Sequence, residues 1–164
     1  MLALAVSLSH TGGFQKLNQA SEVYRRFLRS FSDDPHTDVA IAGLIDVAAQ
    51  VLKASEGESH TGLASHSLAC GAKKGSTAEE AEACVDQAME IPATQQLRQA
   101  IFLYEVRKEP LASGRLTGYI LNGFPRFSRT DEALYYHAMT DTELGDTAGA
   151  TKDLERLIAE TLAI

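Results

Sequence analysis

The chain has no tryptophan, only two cysteines and four prolines, and fewer basic residues than acidic ones, 15 against 22. Two of these shortages exclude something. The cysteines, Cys70 and Cys84, form no CxxC pair, so a zinc ribbon or a thioredoxin motif is ruled out. A net charge of −7 argues against nucleic-acid binding, which needs a basic face for the phosphates. It also disfavours an anionic membrane surface. No apolar run approaches the roughly 20 residues of a spanning helix. The opening "MLALAVSL" is apolar but short. It lacks a basic start and a small-residue cleavage site, so it reads as a helix rather than a signal peptide.

What the chain does have is a repeat. Its 164 residues, 45% hydrophobic and 23% charged, suit one soluble domain over 1–164. An alanine followed by apolar residues at i+4, i+7 and i+8 recurs as "ASEVYRRFL" at Ala20, "AEACVDQAM" at Ala81, "ASGRLTGYI" at Ala112 and "ATKDLERLI" at Ala150. That spacing is the apolar stripe of a surface helix. The small residue at its head lets a neighbouring helix come close, so Ala112 and Ala150 are expected at buried helix contacts. Ala100 matches Ala138 at the offset that relates Ala112 to Ala150. The unit is therefore helix, short turn, helix.

Boundary signals divide the chain into eight expected helices, over about 2–11, 15–31, 36–54, 77–90, 94–108, 110–123, 129–145 and 147–162. Asp34 before Pro35 reads as an N-cap with proline at the first helical position. Thr77 with Glu80 fits a capping box. Gly145 suits a helix end. In Gly123-Phe124-Pro125 the glycine is expected to unwind a helix, the phenylalanine to pack back and the proline to prevent continuation. Residues 55–76 are rich in Gly, Ser and His without a period, which reads as a flexible loop insertion.

The segment 133–158, with Ala138, Leu144-Gly145, Ala150, Leu154 and Leu157, resembles a tetratricopeptide repeat. The junction "FPRFSRTDEALYY" is similar to tandem repeats of bacterial cell-envelope proteins. The family's usual tryptophan is absent, and Asp141 and Thr147 stand where aromatics are common. The resemblance implies an all-α, right-handed solenoid of three to four helical hairpins. It implies no enzyme and no cofactor, but an adaptor or scaffold that binds a partner peptide or helix, within a larger complex. In such arrays the first helix of each unit lines the concave face. Carried onto the last unit, the partner-binding positions are Glu132, Tyr135, Met139, Thr142 and Glu143. Tyr104, Tyr119, Tyr135 and Tyr136 otherwise read as repeat packing. The apolar Leu157, Ile158, Leu162 and Ile164 of the last helix suggest self-association. The compartment stays open, with the cell envelope or periplasm favoured over the cytoplasm.

The alternative function is that of a nucleoside monophosphate kinase, which "GYILNGFPR" at 118–126 resembles. Such an enzyme needs a GxxxxGK[ST] phosphate cradle between a strand and a helix. In "CGAKKGST", 70–77, Lys73 and Lys74 precede Gly75 and none follows it. No strand–helix alternation is visible from which to build a parallel sheet. Cys70 and Cys84 can form one disulfide in an oxidising compartment or stand as two thiols. His60, His66 and Cys70 share the loop and could bind a metal, but such runs are usually solvated polar sequence, and no metal is expected.

Overall fold

The protein is described by a computed structural model. It covers the backbone of residues 1–58 and 75–163, with side chains described except at 56–58. These residues form seven helices: α1 (Leu2–Thr11), α2 (Phe14–Ser30), α3 (Thr37–Glu58), α4 (Ala78–Glu105), α5 (Pro110–Gly123), α6 (Thr130–Leu144) and α7 (Thr147–Leu162). There is no strand among the described residues. No helix is long and apolar enough to cross a membrane. The helices pack mainly on their chain neighbours, α1 on α2, α2 on α3, α5 on α6 and α6 on α7. This is the arrangement that consecutive helical hairpins produce.

Contacts divide the chain into two compact units, Met1–Ile91 and Pro92–Ile164. The division falls inside α4. Two helices were expected over 77–90 and 94–108, but a single helix of 28 residues runs through Pro92. Proline removes one backbone donor and usually kinks or breaks a helix. Here Pro92 is fully buried, flanked on both sides by residues with apolar packing positions, and tertiary burial outweighs the local penalty.

The first unit is built on the first two stripes. Ala20, Tyr24, Phe27 and Leu28 of α2 and Ala81, Val85, Ala88 and Met89 of α4 are all buried. α3 adds Ala40, Leu44, Val47, Ala48 and Val51. Gly43 on α3 is where the Tyr24 ring lies: a Cβ there would stand 2.3 Å from Tyr24 Cζ. Burial, with the charge of Asp46, raises the Tyr24 phenol above its ordinary pKa.

One charged side chain belongs to this core. Arg25 of α2 is only 1% exposed, yet its guanidinium meets Glu82 Oε2 at 3.2 Å and Asp86 Oδ1 at 2.7 Å. It also donates to the Glu82 carbonyl oxygen at 3.3 Å. Glu82 and Asp86 stand four apart on α4, so they share one helix face. A guanidinium's planar fork can reach both at once.

The helix ends follow local chemistry closely. Glu80 N–H donates to Thr77 Oγ1 and Thr77 N–H to Glu80 Oε2, the reciprocal capping box. Gly145 ends α6 in the left-handed region at φ 84°, where a Cβ would be strained. Asp146 caps α7 by accepting from Gly149 N–H.

Three local expectations need correcting. Asp34 does not cap a helix: its carboxylate accepts from the His36 backbone and ring in a turn, and α3 begins at Thr37. That hydrogen bonding holds the Asp34 carboxyl below its ordinary pKa. Gly123 is the last residue of α5 rather than its breaker, and Phe124 is the C-cap. Phe124 does pack back, edge-on to Tyr119 with centroids 5.8 Å apart. α3 also continues into the expected loop, through 55–58. Residues 59–74 of that segment, with His60, His66 and Cys70, lie outside the described residues.

The second unit centres on Leu97, Ala100, Ile120, Phe124, Phe127, Ala133, Leu134 and Ala138, all buried. Ser113 donates to the Ala100 carbonyl at 2.8 Å and joins α5 to α4. Ala150 is buried as its stripe requires, but Ala112 is only half-buried. The third and fourth stripes are thus partly uncovered: Tyr119, Leu154 and Ile158 are exposed.

Candidate functional site

The second unit gathers three tyrosines at one surface. Tyr104 ends α4, and Tyr135 and Tyr136 are adjacent on α6. Tyr136 packs edge-on against Tyr104, with centroids 5.7 Å apart, and against Tyr135 at 5.3 Å. Edge-to-face geometry suits the ring quadrupoles and fixes the rings relative to one another. Two of the phenols are also anchored by a carboxylate. Tyr104 O–H donates to Glu143 Oε1 at 2.6 Å and Tyr136 O–H to Glu105 Oε1 at 3.2 Å. Tyr135 is left 46% exposed.

The electrostatics follow from these pairs. Hydrogen bonding to Glu143 pushes the Tyr104 phenol up to about 12. Burial, then the Glu105 carboxylate, raises Tyr136. Arg129 grips Glu132 with two hydrogen bonds of 2.7 Å, and the Glu132 carboxyl is held below its usual range. Arg129 is therefore committed to Glu132, while Glu105 and Glu143 face the tyrosines. The face is aromatic and acidic.

The five positions expected to bind a partner all lie on α6, but they do not share one character. Tyr135 and Glu143 are exposed and Glu132 half-exposed. Met139 is half-buried, and Thr142 donates to the Ala138 carbonyl of its own helix. Tyr104, Tyr136 and Glu105 join the face although sequence spacing did not nominate them as a site. Tyr119 lies apart, on Phe124.

A prediction arises from the Tyr104–Glu143 pair. A phenol whose folded pKa is raised contributes stability that is complete below its unfolded value near 10. That contribution is lost as pH climbs through about 12. In an ultraviolet absorbance titration Tyr24, Tyr104 and Tyr136 are expected to ionise late, and Glu143→Gln to bring Tyr104 back toward pH 10. An unchanged titration curve in that variant would mean the hydrogen bond does not form in solution.

Elsewhere in this unit, Pro125, Phe127 and Ser128 line an open pocket of about 490 Å³ with Arg156 and Glu160 of α7. Pro125 and Arg126 of the Gly-Phe-Pro-Arg turn belong to its lining. The glycine-rich run that a kinase would need for phosphate lies, up to residue 74, outside the described residues. Cys84 is buried on α4 and is not a free thiol. Cys70, its possible disulfide partner, is outside the described residues.

Fold and surface together define an all-helical protein of seven sequentially packed helices among the described residues. No family model, no curated protein and no solved structure matches the chain.

Proposed function

We propose that the protein is a non-enzymatic adaptor or scaffold of tetratricopeptide-like hairpins, stacked as a right-handed solenoid, that binds a partner peptide or helix. The tyrosine face of α4 and α6 carries this reading. Tyrosines give large contact area with little rotamer entropy to lose, and they dominate protein interfaces. Glu105, Glu132 and Glu143 beside them favour a segment with lysine or arginine, whose cations can sit on the rings.

Tyr135 separates binding from folding. Being largely exposed, it contributes little to stability, and surface truncations usually stay within about 0.5 kcal/mol. Tyr135→Ala is expected to leave the melting temperature near that of the parent protein. Capture of a partner from the native source is expected to fall at least about tenfold, the loss of a modest hot spot. If capture by the two proteins is equal, the partner does not use this face. Binding of ATP by the purified chain would instead favour the kinase alternative.

Self-association through α7 rests on Leu154, Ile158 and Leu162. These are spaced i, i+4 and i+8 and are 42%, 58% and 80% exposed. Leu157 is half-buried, and Ile164 is outside the described residues. Sedimentation equilibrium is expected to show an oligomer that Ile158→Glu converts to a monomer. A parent protein that is already monomeric at high concentration would refute this surface.

A further inference from the structure

We propose that His137, Asp141 and Asp153 form a binding site for one divalent transition-metal ion of the zinc class, which would tie α6 to α7. His137 and Asp141 are four apart on α6, so they project from one face. Asp153 approaches from α7. One ligand atom from each residue lies within 4.8 Å of the other two.

The arrangement around the imidazole is unbalanced. His137 Nδ1 is hydrogen-bonded to Asp153 Oδ2. The same nitrogen faces Asp141 Oδ2 at 3.6 Å. One ring nitrogen carries at most one proton, and that proton serves Asp153. Asp141 receives only residual charge from the ring. A third carboxylate adds to the excess: a Cβ on Gly149 would stand 2.6 Å from Asp141 Oδ2 and from Asp146 Oδ2. No lysine or arginine among the described residues pairs with Asp141 or Asp153.

A single dication resolves this imbalance where a proton cannot. It would accept the Nδ1 lone pair and one oxygen from each aspartate. Zinc bonds to nitrogen and carboxylate oxygen run about 2.0–2.2 Å, so the three donors need only draw together by small rotamer changes. An imidazole with two carboxylates suits zinc, cobalt, nickel or manganese rather than calcium or magnesium, which take oxygen ligands. Three protein ligands leave a coordination position for water. The space is kept by small residues: a Cβ on Gly149 would strike Asp141, and one on Gly118 of α5 would press on His137 Nε2 at 3.4 Å.

The test uses the full chain without a histidine tag, stripped with chelator. Calorimetric titration with zinc chloride is expected to give one ion per chain and a raised melting temperature, with magnesium chloride failing to compete. Asp141→Asn with Asp153→Asn, which keep side-chain size, is expected to weaken zinc at least about tenfold, by the scale on which even supporting residues of metal sites act. Cobalt added to the parent protein is expected to broaden NMR signals around 137–141 and 149–153, and this readout does not depend on whether the variant folds. No zinc binding, equal binding by a folded double variant, or broadening centred on other histidines would each overturn the site.

Discussion

Arg25→Ala is expected to lower the unfolding free energy by about 3 kcal/mol, among the largest effects of any single change in the first unit. Removing one partner of a buried ion pair typically costs about 3–5 kcal/mol, because the other charge is left uncompensated. Here Glu82 and Asp86 keep 27% and 41% of their side-chain surface in water. They can be rehydrated, which places the expectation at the low end. Packing adds to the loss, since the arginine stem is enclosed between α2 and α4. Arg25→Lys separates the two contributions. A single ammonium cannot span both carboxylates and the Glu82 carbonyl as the guanidinium does, so it is expected to fall between the parent protein and the alanine variant. Urea denaturation followed by circular dichroism measures all three. If Arg25→Ala unfolds within the error of the parent protein, the ion pairs contribute nothing net.

Gly43→Leu is expected to cost a comparable amount, about 3 kcal/mol, the upper part of the usual overpacking range. Its Cβ would begin 2.3 Å from Tyr24 Cζ and 2.7 Å from the phenol oxygen. Tyr24 is buried, so the ring has no free space to swing into. Gly43→Ala meets the same clash with fewer atoms, and alanine's better helix propensity returns about 1 kcal/mol. It is therefore expected to be milder. The diagnostic measurement is a double-mutant cycle. Combining Gly43→Ala with Tyr24→Leu removes the ring that clashes, and the two changes are expected to couple by at least about 0.5 kcal/mol. Strict additivity would mean that α2 and α3 approach elsewhere.

Much of this architecture was legible because helix signals are local. Thr77 and Glu80 cap α4 within one turn. Gly145 and Asp146 stop one helix and start the next, and Pro110 opens α5 as expected. The alanine stripes at Ala20 and Ala81 marked buried faces because 3.6-residue periodicity reports burial directly. The failures are those of tertiary context. Nothing local distinguishes Arg25 from the exposed Arg26 beside it; only Glu82 and Asp86, far along the chain, make its burial tolerable. The break expected between 90 and 94 did not occur because the penalty of Pro92 is local while the packing that outweighs it is not. At the candidate surface, Tyr135 and Glu132 followed from helix register. Tyr104 and Tyr136 required knowing that the end of α4 meets α6. His137, Asp141 and Asp153 lie on two helices, and their convergence is a property of the hairpin between them.

The Arg25 clamp also bears on the order of assembly. Most helix contacts here join chain neighbours, and short loop closures of that kind let helical proteins fold in microseconds to milliseconds. The bonds from Arg25 to Glu82 and Asp86 span 57 and 61 residues, so their closure entropy is met late, after the hairpins have formed. Interactions absent from the transition state govern the escape from the native state rather than the approach to it. Arginine at this position thus acts as a latch on lifetime: its loss would leave the refolding rate almost unchanged and accelerate unfolding.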